Sequence, residues 1–112
     1  MRYFFSLQIH AEHEQLSKIP KILGIESNYP EVSWGHKLIV KDNAYTNFID
    51  YFLGILDGKY DKLESIGIPR DCISIWMICE YEEQCNMEFM PSDMVKLGEN
   101  GITFCISCYE KS

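Results

Sequence analysis

Bases are scarce in this chain. Its 112 residues include 10 Lys and Arg against 17 Asp and Glu, a formal charge of −7. Nucleic-acid binding draws on clustered cations that neutralise phosphate, so no nucleic-acid partner is expected. Cysteine is absent before Cys72, and the total of five is odd. A secreted disulfide scaffold spaces an even number of cysteines along its length, so five free thiols are expected. No run of about 18 apolar residues occurs, and no membrane-crossing helix is expected. The opening MRYFFSLQIHAEHEQ holds one base, and its short apolar run is broken by Gln8 and His10. That is not the pattern of a secretory signal. Neither G-x-x-x-x-G-K-[ST] nor G-x-G-x-x-G is found, nor is an internal repeat or a low-complexity linker. These absences point to a reduced, cytoplasmic protein with no nucleotide-binding loop.

What is present is a globular composition, with 46% hydrophobic and 13% aromatic residues. The length suits one domain, residues 1–112, able to bury somewhat under about 70% of its unfolded surface. The charge is lopsided. Residues 1–56 carry 6 acids and 5 bases, net −1; residues 57–112 carry 11 and 5, net −6. Solubility alone accounts for many acidic proteins. A concentrated negative face also suits a basic partner, whose approach it speeds.

Hydrophobic periodicity gives the element order. RYFFSLQIH alternates, with Tyr3, Phe5, Leu7 and Ile9 on one face, as in a strand. Leu16, Ile19, Ile22 and Leu23 fall at helical spacing, with Pro20 limiting the helix and Gly24 able to end it. VSWGHKLIVK reads as a second strand. The stripe Phe48, Ile49, Phe52, Leu53, Ile55 and Leu56 predicts the main helix, capped by Asp42 or Asn43 and interrupted near Gly58. DCISIWMICEY is apolar on both faces at its centre, as an interior strand is. CNMEFM alternates again and predicts a further strand. MPSDMVKLGENG predicts a short helix with Ser92 or Asp93 as cap, Met94, Val95 and Leu97 inward, and Gly98 or Gly101 as stop. ITFCISCYE closes as a strand. The expected class is α+β: about five mostly antiparallel strands, with about three helical segments mainly on one face. Phe5, Leu7, Phe52, Leu56, Ile75, Met77, Phe104 and Ile106 are the expected core.

No catalytic constellation emerges. Cys105 and Cys108 form C-x-x-C, but within a strand that spacing points the thiols to opposite faces. Redox sites place the motif at a helix N-terminus, and zinc knuckles need a second ligand pair, so buried structural cysteine is the expectation. His10 and His13 with Glu12 and Glu14 match no common metal spacing. No nucleophile motif surrounds any cysteine, and Ser92 reads as a cap. Adjacent Glu82 and Glu83 point apart, which makes a poor acid/base pair. The expectation is no enzyme, no metal and no cofactor.

One stretch remains unexplained: ICEYEEQCNMEF, residues 78–89. Read as a hairpin, it places Glu80 and Glu88 on paired strands and Glu82 and Glu83 at the turn. Like charges across a ladder destabilise it by a few tenths of a kcal/mol or more. A protein that keeps such charges either uses them or guards a sheet edge with them. Glu80, Tyr81, Glu82, Glu83, Glu88 and Asp93 are therefore the candidate partner-binding residues.

Several stretches resemble a widespread bacterial family known as a domain of unknown function. They are YFFSLQI, IPKILGIESNYP, Trp34 with LIV, FIDYFLGILDGKYDKLESIG, and MPSDMVKLGENGITFCISCYE. The resemblance covers most of the chain, rests on core positions, and implies a fold without catalytic residues. The acidic stretch is not part of it. In size and charge the chain is also similar to immunity proteins of contact-dependent inhibition and other polymorphic toxin systems. That similarity implies binding and blocking of one toxin domain, often a basic nuclease. The alternative is an accessory module with another protein partner.

Overall fold

The computed structural model describes residues 2–28, 33–39, 47–84 and 86–111. Four strands are present among them: β1 (Arg2–Ile9), β2 (Trp34–Ile39), β3 (Ile73–Tyr81) and β4 (Thr103–Glu110). They form one sheet in the order β2-β1-β3-β4. β1 is antiparallel to both β2 and β3, whereas β3 and β4 run parallel. The sheet is thus mixed, and the fold is α+β.

Among the described residues, five short helices make up the three expected helical regions. The first region holds α1 (His13–Leu16) and α2 (Ile19–Leu23), with Pro20 in the first turn of α2, where its missing N–H costs nothing. The second holds α3 (Phe48–Leu56) and α4 (Tyr60–Ser65), separated at Gly58, whose φ of 75° a side chain would resist. The third is α5 (Pro91–Asn100), stopped by Gly101 at φ 68°. There the Ile102 N–H donates to the Leu97 carbonyl at 3.1 Å, closing the last turn. A single 3-10 turn at Arg70–Cys72 leads into β3.

The core lies on one side of the sheet. Phe5, Leu7 and Ile9 of β1 and Ile73, Ile75, Met77 and Cys79 of β3 are buried. All of these but Cys79 cluster with Phe48, Ile49, Phe52 and Leu56 of α3, which recur at helical spacing, along with Leu63 and Leu97. Phe5 and Phe48 stack with ring centroids 3.9 Å apart. Trp34 is fully buried and donates its indole N–H to the Ile25 carbonyl at 3.1 Å, so its polar atom is satisfied.

Several expectations need correction. The fifth strand does not form: residues 86–90 pair with no strand. Their alternation is real but has another cause. Met87 and Phe89 pack against the core from an extended segment, while Asn86, Glu88 and Met90 face water. One-sided burial alone yields a period of two, without a ladder. The neighbour that β3 takes instead is β4, brought alongside by the crossover through α5. Asn47, not Asp42 or Asn43, caps α3, its side chain accepting from the Asp50 N–H at 3.0 Å; Asp42 and Asn43 lie outside the described residues. Ser92 lies inside α5, which begins at Pro91 with Met90 before it and no side-chain cap. Met94 and Val95 are exposed, and only Leu97 turns inward. Phe104 is half-buried, and Ile106 is 46% exposed.

Candidate partner-binding surface

The parallel pair β3 and β4 ends at Tyr81 and Glu110, which are register partners. The chain leaves β3 there, bends at Glu82 and Glu83, and crosses back through Met87 and Phe89 toward α5. Between that segment and β4 lies a groove of about 580 Å³, lined by Tyr81, Glu83, Met87, Phe89, Ile106 and Cys108, with Gln84 beside them. Its floor is apolar for a packing reason. Phe104 packs edge-on against Phe89, with ring centroids 5.0 Å apart, and at a tilt against Phe48, 5.7 Å away. Two residues further along the same face of β4, Ile106 stands uncovered. The aromatic series Phe5, Phe48, Phe104, Phe89 therefore runs from the centre of the core to the wall of the groove.

The six candidate residues do not share one patch. Tyr81 and Glu83 line the groove. Glu82 is beside it and accepts a 3.4 Å contact from Lys111 Nζ; both side chains are exposed, and such a pair contributes little. The Lys111 backbone N–H donates to the Tyr81 carbonyl at 2.7 Å, which holds the two chain segments together. Glu88 is exposed between two groove residues, and in an extended segment it points away from them. Glu80 lies on the opposite face of the sheet, half-buried, at the register position between Arg2 and Tyr109. Glu80 and Glu88 are therefore not cross-strand neighbours, because the hairpin that would pair them is absent. Asp93 sits in the first turn of α5, where a negative charge is favourable, and does not line the groove.

Sequence reasoning missed Met87, Phe89, Ile106 and Cys108 as surface residues, having read them as strand or core. The signal that could have found them is the uncharged run from Thr103 to Tyr109 in a strand that ends the sheet.

The remaining chemistry-bearing residues have structural settings. The four described cysteines, Cys72, Cys79, Cys105 and Cys108, are thiols. Cys105 and Cys108 do point to opposite faces, opposite Trp76 and Cys79 respectively. Contrary to expectation neither is buried: Cys105 is half-buried and Cys108 exposed. His36 Nε2 lies 2.8 Å from the Tyr51 hydroxyl, and burial lowers the pKa of this imidazole. Tyr60 donates to Asn100 Oδ1 at 2.9 Å beneath the Arg70 guanidinium, 4.0 Å from its ring. Its pKa is raised, chiefly by burial, with Arg70 opposing and Asp57 adding to the rise. A second hollow of about 590 Å³, lined by His13, Glu14, Ser17, Lys21, Glu26 and Ser27, lies beside α1 and α2. In it the Ser27 hydroxyl donates to the Ser33 carbonyl and accepts from the Gly35 N–H, bracing the approach to β2. His10 is exposed outside that hollow. No helix among the described residues is long and apolar enough to cross a membrane.

No family model, curated protein or solved structure matches this chain.

Proposed function

We propose that the chain is a cytoplasmic immunity protein. It binds the basic, nuclease-type domain of one cognate bacterial toxin and blocks it by stoichiometric occlusion, without turnover. The observation that carries this reading is the groove beside β4: an apolar floor of Met87, Phe89 and Ile106, with Tyr81 and Glu83 in its lining and Glu82 and Glu88 in the adjoining chain. Protein interfaces are built in this manner, with an apolar centre, an aromatic anchor and a charged rim. A nuclease holds phosphate with Lys and Arg, and those cations would meet the carboxylates here. Residues 57–112, which build the groove, hold the chain's excess of acid, net −6. Steering by that charge makes association fast and weakens it as salt rises.

The test is charge reversal at Glu83 and Glu88, chosen because Glu82 is already engaged with Lys111. The double variant Glu83→Lys, Glu88→Lys is expected to slow association about tenfold at low salt, with less effect at high salt. It is also expected to fail to protect cells that produce the toxin, while its circular dichroism is unchanged. The toxin domain is obtained by co-purification from the native host and mass spectrometry of any one-to-one partner. A variant that binds and protects as the parent does would reduce the acidic segment to a solubility device.

A further inference from the structure

The two edges of the sheet differ. β2, at one edge, is six residues long and carries Lys37 at its centre and Gly35 near its start. β4, at the other, is eight residues long and carries no charge, proline or glycine from Thr103 to Tyr109. Charge, proline and bulges are the devices by which sheet edges resist added strands, and from Thr103 to Tyr109 β4 carries neither charge nor proline; its one charge, Glu110, is its last residue. Thr103, Ile106 and Ser107 are exposed, and among the described residues the sheet ends at β4.

We propose that the partner is captured by strand addition. An extended segment of it pairs along the outer edge of β4 at Thr103–Ser107. This rests on the reading of the groove as a partner surface, and it names the form that the partner's bound segment takes. Successive residues of a strand alternate between faces, so every second side chain of the added strand falls on the groove side, over Ile106 and beside Met87 and Phe89. Those positions take apolar side chains. Where β3 and β4 end, Glu82, Glu83 and Glu110 outnumber the adjoining Lys111, so the segment passing there is basic. Charge also argues against a second copy of this chain as the occupant. Its β4 offers no base from Thr103 to Tyr109, and it brings its own net −7. Main-chain pairing would supply affinity and the groove would supply selectivity.

The probe is an end-blocked, fluorescein-labelled peptide alternating Val and Lys, compared with the same peptide N-methylated at every backbone nitrogen. Methylation keeps charge and side chains and removes the donors of a ladder. Binding is read by anisotropy at low salt, and the amides of Thr103–Ser107 by hydrogen exchange. The expected result is binding of the parent peptide with slowed exchange in Thr103–Ser107, and binding at least about tenfold weaker for the methylated one. Equal binding of both peptides with no slowed exchange overturns strand addition and leaves the acidic groove reading intact. No binding of either up to about millimolar concentration also overturns strand addition, the groove then being judged by the charge-reversal test alone. A sedimenting dimer with those amides already protected overturns it in favour of a second copy.

Discussion

Ser6 is 1% exposed on the sheet face away from the helices, between the register positions of Lys37 and Trp76. Its hydroxyl has no hydrogen-bond partner among the described residues. A buried, unsatisfied hydroxyl costs about 1–3 kcal/mol, so Ser6→Ala is expected to raise stability by about 1 kcal/mol in urea denaturation. A loss of stability would mean that the hydroxyl is satisfied in solution. His36 tests burial differently. Its folded pKa lies below the usual value of 6.5 because burial disfavours the charged ring. Below pH 6.5 the unfolded chain takes up a proton that the folded chain resists, so stability present above that pH falls as the solution is acidified toward the folded pKa. Denaturation midpoints at pH 7.5 and 6 are expected to differ in that direction, and the difference is expected to shrink in His36→Phe. Neither effect was legible in the sequence. Alternation put Ser6 and His36 on faces, but what covers each face comes from strands and helices distant in the chain.

At the scale of elements, α3 was the most legible, because Phe48, Ile49, Phe52 and Leu56 repeat at 3.6 and can bury only one stripe. Phe52→Ala is expected to cost about 3–5 kcal/mol by denaturation, since Phe52 is fully buried between helix and sheet. A cost below about 1 kcal/mol would mean that the stripe does not pack as described. β1 and β3 were equally legible, and for the same reason: each has a face that water never meets. The segment 86–90 was misread because periodicity records burial and is blind to pairing. Met87 and Phe89 alternate with exposed neighbours just as strand residues do. β4 was recognised as a strand, yet its place at the end of the sheet was not, so Ile106 was assigned to the core. Strand order depends on which chain crosses over which, and a crossover leaves no periodic mark. For the candidate surface, the acids were visible in the sequence and the apolar floor between them was not. That floor is assembled from β4 and the 82–89 segment only once they fold together.

At the scale of the molecule, the negative charge and the unguarded edge fall in the same half of the chain, and the proposals about partner and binding mode draw on both. The sheet order has a separate consequence, in time. β1 sits at the centre, and its pairing with β3 runs from Ile9–Ile73 to Arg2–Glu80, joining residues 64 to 78 positions apart. The β3–β4 pairing spans 29 positions throughout. The middle of the sheet is therefore its least local seam, and loop-closure entropy must be met before that seam returns any energy. Topologies rich in such contacts fold in about milliseconds to seconds. Ile75→Val, at the seam, is expected to slow refolding in stopped-flow measurements, with a φ-value of about 0.5 or more; a purely faster unfolding arm would place the seam after the transition state. Until the seam closes, β3 exposes a centre that is apolar on both faces. The yield of refolded protein is therefore expected to fall as its concentration during refolding rises.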